Sequence, residues 1–140
     1  MKLEVGMFIR TPLGIDKIIN VILQDEYGCN FDTQLEHNLF CDERDYISID
    51  GECFDKEEIK ASHNIKKLIG VGDIISYEFP TGLGMIGYEN VTVLPELLEV
   101  LQNGENNHEY IIKSILTKEQ FESMSYKVKE EEWINIKKEN

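Results

Sequence analysis

Apolar and β-branched residues recur along the chain in two glycine-led runs. Val5-Gly6-Met7-Phe8-Ile9-Arg10-Thr11 is echoed by Val71-Gly72-Asp73-Ile74-Ile75-Ser76-Tyr77. A glycine followed by aromatic and β-branched positions reads as a turn and then a strand. Each run meets a second turn, Thr11-Pro12-Leu13-Gly14 in the first copy and Pro80-Thr81-Gly82-Leu83-Gly84 in the second. Another strand candidate follows each, Ile15 to Leu23 and Met85 to Leu94. The pattern predicts one strand–turn–strand unit used twice.

Between the copies the pattern weakens. Gln24 to Glu52 is polar, and Asp25, Gly28, Asn30 and Asp32 read as turn positions. Phe40-Cys41 and Tyr46 to Ile49 read as short strands. Asp50-Gly51 is a two-residue hairpin turn leading into Glu52 to Phe54. Ser62 is placed to cap one helical turn carrying Ile65, Leu68 and Ile69. Beyond the second copy, Leu94, Leu97, Leu98 and Leu101 keep helical spacing, with Pro95 in the first turn and Gly104 past the end. Strand is the competing assignment for Leu94 to Leu101. Tyr110 to Leu116 reads as a strand. Thr117-Lys118-Glu119-Gln120 is a capping box opening a helix that aims Phe121 and Met124 at the core. Ser125 to Val128 reads as a closing strand, and Lys129 onward as a charged, loosely docked or disordered tail. The expected fold is mainly β (α+β): two SH3-like or half-barrel hairpin units with two or three short helices. Residues 1–128 form one globular domain, divisible into β subdomains 1–54 and 55–128, with a tail at 129–140.

Composition narrows the function classes. The chain has 140 residues, 41% hydrophobic and 29% charged, and a mean hydropathy of -0.32. These values fit a folded soluble chain. No apolar run approaches the ~20 residues of a membrane span, and the first residues lack the apolar core of a signal peptide. Cys29, Cys41 and Cys53 match no disulfide framework, so reduced thiols in a cytoplasm are expected. The net charge is -13. Phosphate-backbone binding needs the opposite surplus, so direct nucleic-acid binding is not expected. Arginine occurs only at Arg10 and Arg44.

Candidate chemistry is sparse. Gly82, Gly84 and Gly87 have the G-x-G-x-x-G spacing of a dinucleotide loop. Such a loop must open a helix whose N-terminus faces the pyrophosphate. Tyr88-Glu89-Asn90-Val91-Thr92-Val93 favours strand instead, and turn formation explains the glycines without a ligand. His37 and Cys41 approach metal-ligand spacing only if their segment is helical, and His63 and Cys53 have no paired knuckle. Glu36, Asp42, Glu43 and Asp45 surround His37, as a small acid–base enzyme would require. A Cys–His nucleophile built from Cys41 or Cys53 lacks a local signature. His63, in Ser62-His63-Asn64, reads as a turn residue bonded to backbone, and His108 as a loop residue. Tyr77, Phe79 and Tyr88 read as core at alternate strand positions. A ligand-binding alternative groups Arg10, Lys17, Tyr77, Gly82, Gly84, Gly87 and Tyr88 as a stacking and charge platform for a small nucleotide.

Three stretches resemble a group of small proteins encoded by phages and prophages of Gram-positive bacteria. They are Val5 to Thr11 with Gly14 to Ile18, Ile59 to Ile65 through Val71-Gly72-Asp73, and Ile112 to Met124. Together they span somewhat less than half of the chain. The resemblance implies a viral accessory protein made in the cytoplasm of a bacterial host, and carries over no catalytic residue. The expected function is therefore non-catalytic: binding of a host protein or protein complex, as an anti-defence inhibitor. The alternatives are a sponge for a nucleotide immune signal at the Gly82–Gly87 turn, and a small acid–base or metal-dependent enzyme. No cofactor or metal is implied, and a homo-oligomer is compatible with the sequence.

Overall fold

The computed structural model of the chain describes residues 2–42, 44, 46–104 and 109–139. Two antiparallel sheets and three short helices make up the fold, as the periodicity predicts. The first sheet has seven strands and curls into a half-barrel. Its strands are β1 (Phe8–Thr11), β2 (Gly14–Asp25), β3 (Gly28–Thr33), β4 (Asn38–Asp42), β5 (Ile47–Ile49), β6 (Glu52–Phe54) and β7 (Lys60–Ser62). They run in the order β6-β5-β4-β3-β2-β1-β7. The second sheet has β8 (Ile74–Pro80) between β10 (Ile111–Leu116) and β9 (Ile86–Thr92). Helices α1 (Pro95–Asn103), α2 (Lys118–Met124) and α3 (Glu130–Glu139) complete the chain.

The twofold echo in sequence is a twofold echo in backbone. Met7 N–H donates to the Glu4 carbonyl at 3.2 Å, and Asp73 N–H donates to the Gly70 carbonyl at 3.2 Å. The third residue of each turn is glycine, Gly6 with φ 95° and Gly72 with φ 96°. Only glycine takes that region without strain. Both glycines then tie their hairpin shut: Gly6 N–H reaches the Ile18 carbonyl and Gly72 N–H the Val93 carbonyl, each at 2.9 Å. Corresponding side chains are buried in both copies. Leu3, Ile9 and Ile18 enter one core; Ile69, Ile75 and Val93 enter the other.

The first core lies inside the half-barrel, where Ile9, Ile18, Phe31, Leu39, Ile47, Ile49 and Ile59 meet. The second sits between β8–β9–β10 and α1, which contributes buried Leu101 and partly buried Leu97 and Leu98. Pro95 occupies the first turn of α1 and Gly104 caps its end, as the spacing predicts, while Leu94 precedes the helix and stays exposed.

Several expectations need correction. Asn30 and Asp32 are not turn residues; they lie in β3, held between β2 and β4. Their side chains alternate with Cys29, Phe31 and Thr33, and pairing on both sides overrides their weak strand propensity. The half-barrel also does not end at Phe54, because β7 returns to pair with β1. Asn64, two residues beyond Ser62, caps the short helical turn at Ile65–Leu68. The capping box is present, with Thr117 accepting from Gln120 N–H and Gln120 accepting from Thr117 N–H. However, Phe121 and Met124 point to solvent, since α2 packs through its N-terminal turn: Gln120 lies over Gly14 and Lys118 over Gly72. No strand forms at 125–128. The tail contains α3, whose first turn carries Glu130, Glu131 and Glu132, a favourable charge at a helix N-terminus.

Strand β10 is interrupted. Its register against β8 shifts between Ile112 and Ser114, leaving Lys113 as the extra residue. Two shifts also break β2, at Ile18/Asn20 and Val21/Leu23.

Candidate functional site

The β8–β9 hairpin presents two unlike faces. On one, Tyr77 and Phe79 turn toward the second core. On the other, the ladder places Ile111, Glu78 and Tyr88 opposite one another, with Pro80 opposite Ile86 in the next row. Ile86 and Tyr88 are 72% and 60% exposed. At the hairpin tip Leu83 is 83% exposed, with Met85 also exposed beside it. β9 is the last strand of its sheet. An exposed apolar group of this kind, on an edge strand, is a candidate contact surface.

The glycines explain how the tip is built. Gly82 and Gly84 have φ of 84° and 74°. They fold the chain between Thr81 and Met85, whose backbone bond spans 3.2 Å. Thr81 Oγ1 donates to the Met85 carbonyl at 3.0 Å and tightens the loop. Gly87 has a different role. A Cβ there would stand 2.5 Å from the Phe79 ring, so its bare backbone makes room for that ring. After Gly87 the chain continues as strand β9, so Gly87 does not open a helix.

A groove of about 530 Å³ opens at the tip, lined by Phe79, Pro80, Met85, Ile86 and Ile111, with Glu78 and Glu109 on its wall. Lys113 lies 3.7 Å from Glu78. Deeper in the hairpin, Tyr77 donates to Glu89 Oε2 at 2.7 Å. Burial, reinforced by that carboxylate, pushes the Tyr77 phenol up to about 12.

The grouped platform residues occupy separate places. Gly82 and Gly84 line the tip groove, Tyr88 lies on the exposed face, and Tyr77 belongs to the core. Tyr88 is thus not the core residue that alternation predicts. Lys17 is on β2, its ammonium 5.3 Å from the centroid of the Phe8 ring. Arg10 is committed elsewhere. Its guanidinium forms a two-pronged ion pair with Asp73, donates to the Leu68 carbonyl at 2.8 Å, and reaches Glu119 Oε2 at 2.8 Å. Asp73 is fully buried and also accepts from Gly70 N–H and Lys118 N–H. Burial raises its carboxyl, but the bonds from Arg10, Gly70 and Lys118 outweigh this and hold it below the ordinary aspartate value. The hub joins the two hairpin copies and α2.

The remaining polar candidates are spread apart. His37 Nδ1 lies 2.6 Å from Asp50 Oδ2. Asp42 accepts from Arg44 N–H and Tyr46 N–H in a turn, and Glu43 and Asp45 fall outside the described residues. His63 bonds to the Glu4 carboxylate at 2.6 Å, not to backbone as its turn setting predicts. His108 is also outside the described residues. Among the described residues no three His, Cys, Asp or Glu side chains gather as a metal site, and no helix is long and apolar enough to cross a membrane.

Sequence reasoning missed the exposed apolar group of Leu83, Met85, Ile86 and Ile111. The available signal was their apolar character inside a turn and edge strand, where polar residues are usual. It likewise gave Asp73 no role, although Asp73 is a charged residue where the first copy has Met7. No family model, curated protein or solved structure matches the chain.

Proposed function

We propose that this is a non-catalytic binding protein that docks its β8–β9 hairpin on a basic, partly apolar surface of a host protein. The observation that carries this reading is the exposed group Leu83, Met85, Ile86, Tyr88 and Ile111 beside Glu78 and Glu109. Desolvating those side chains provides affinity, while the net charge of -13 draws in a partner of opposite sign and disfavours an acidic one. The resemblance of the three stretches to phage and prophage proteins supports a viral accessory role in a bacterial cytoplasm, with occlusion of a defence complex as the mechanism. Phosphate groups at the tip would face Glu78 and Glu109, so the geometry favours a protein partner over a nucleotide.

The test is capture from bacterial lysate by the wild type and by a Met85→Asp/Tyr88→Asp variant, at low and high salt. A basic protein retained by the wild type at low salt, weakened by salt and lost with the variant, is the expected result. Identical capture by both proteins would remove the hairpin from the interface.

A further inference from the structure

Cys29 and Cys41 are direct register partners on β3 and β4. They belong to one ladder row, Gln24–Cys29–Cys41–Ile47–Phe54, which crosses five strands on the core side of the half-barrel. Ile47 in that row is fully buried, Cys41 is 9% exposed, and Cys29 is half-buried. The row ends at an open groove of about 470 Å³, walled by Leu3, Val5, Val21 and Phe31 as well as by both thiols. A small reagent can therefore enter from solvent and meet Cys29 first.

The pair has a definite hydrogen-bonding phase. Thr33 N–H donates to the His37 carbonyl at 3.2 Å. Antiparallel ladders repeat every second residue, so Phe31–Leu39 and Cys29–Cys41 are hydrogen-bonded pairs too. On the far edge of β4, Asp50 N–H reaches the Asn38 carbonyl and Asp42 N–H the Tyr46 carbonyl, which leaves Leu39 and Cys41 to bond β3. Such pairs have Cα atoms ~5.5 Å apart, inside the disulfide range. Their Cβ atoms stand ~4.5–5.5 Å apart, at or beyond the upper end of the usual disulfide spacing. A bridge at this position forms under strain and is reduced more easily than a structural disulfide.

We propose that Cys29 and Cys41 are a reversible dithiol, closed to a cross-strand disulfide by low-molecular-weight disulfides such as oxidised glutathione and reopened by the corresponding thiol. The Cys29 sulfur, having lost its proton, attacks one sulfur of the small disulfide. That S–S bond breaks, and the departing thiolate takes up a proton. Cys41 sulfur, on losing its proton, then attacks the Cys29 sulfur of the mixed disulfide, the protein bridge forms, and the second small thiol leaves. Two protein thiols give up two electrons, and one small disulfide becomes two thiols. Burial, with the Asp25 carboxylate nearby, pushes the Cys29 thiol up, so the first attack is slow and depends on sustained oxidant.

Cys53, on the opposite side of the sheet in the row with Phe40 and Ser48, is exposed and would take up glutathione by itself. The experiment therefore uses Cys53→Ser protein treated with oxidised glutathione and read by intact mass and peptide mapping. The expected product has lost two hydrogens, joins the Cys29 and Cys41 peptides, and reopens fully with excess reduced glutathione. Adding Cys41→Ser to this background should instead trap one glutathione on Cys29. Mapping of the Cys53→Ser protein decides the matter even if the second variant fails to fold. Recovery of Cys29 and Cys41 as unreacted thiols, as separate adducts, or as a bridge that resists reduced glutathione would overturn the proposal.

Discussion

Arg10 shows how a side chain placed correctly in a strand can hold partners that the sequence does not reveal. One of only two arginines in an acidic chain invites a ligand, yet its five N–H donors are largely spent on Asp73, Glu119 and the Leu68 carbonyl. Nothing local marks Asp73 as its partner, because the two residues lie 63 positions apart. Removing one member of a buried pair leaves the other uncompensated. Asp73→Asn should therefore lower unfolding free energy by ~3–5 kcal/mol, measured by urea denaturation. The pH dependence follows from the depressed Asp73 carboxyl. Its stabilisation is fully present above the unfolded aspartate pKa and disappears as pH falls through the lower folded value. Below about pH 4, the wild-type urea midpoint should fall more steeply than that of Asp73→Asn. Parallel slopes would argue against a depressed carboxyl.

At the scale of elements, the repeated hairpin was legible because its turn depends on a glycine and its strands on short-range alternation. Gly6 and Gly72 adopt the same positive φ within one degree. Gly6→Ala and Gly72→Ala should each cost ~1–3 kcal/mol, seen as matched drops in thermal midpoint. A large effect at only one of them would break the equivalence of the two turns. The capping box of α2 was legible for the same local reason, and Thr117→Ala should cost ~1 kcal/mol. What α2 packs against was not legible. Its helical spacing offers Phe121 and Met124 as the apolar side, but the contacts run through Lys118, Glu119 and Gln120 at the helix start. In β3, polar residues at Asn30 and Asp32 masked an alternation that Cys29, Phe31 and Thr33 nevertheless carried. The exposed apolar face of β9 was hidden for a further reason: alternation identifies faces, but only the assembled sheet decides which face is covered.

For the whole molecule, two small cores are joined through a charged hub rather than through continuous apolar packing. Replacing both partners with apolar groups of comparable size avoids a stranded charge. Arg10→Met/Asp73→Leu should thus be less destabilising than Asp73→Asn alone, as judged by denaturation midpoints. A double variant at least as unstable as the single one would mean that the backbone donors Gly70 and Lys118 depend on the carboxylate more than on the ion pair. The hairpin surface and the hub are separate, so Met85→Asp/Tyr88→Asp should leave the unfolding midpoint nearly unchanged.

The extra residue in β10 has a consequence for molecules at high concentration. A smooth outer margin with unsatisfied amides is an invitation to stack copy upon copy without end. The kink at Lys113 throws that margin out of step and sets an ammonium group on it, so further chains cannot zip on in register. Growth at that border is opposed at the first rung.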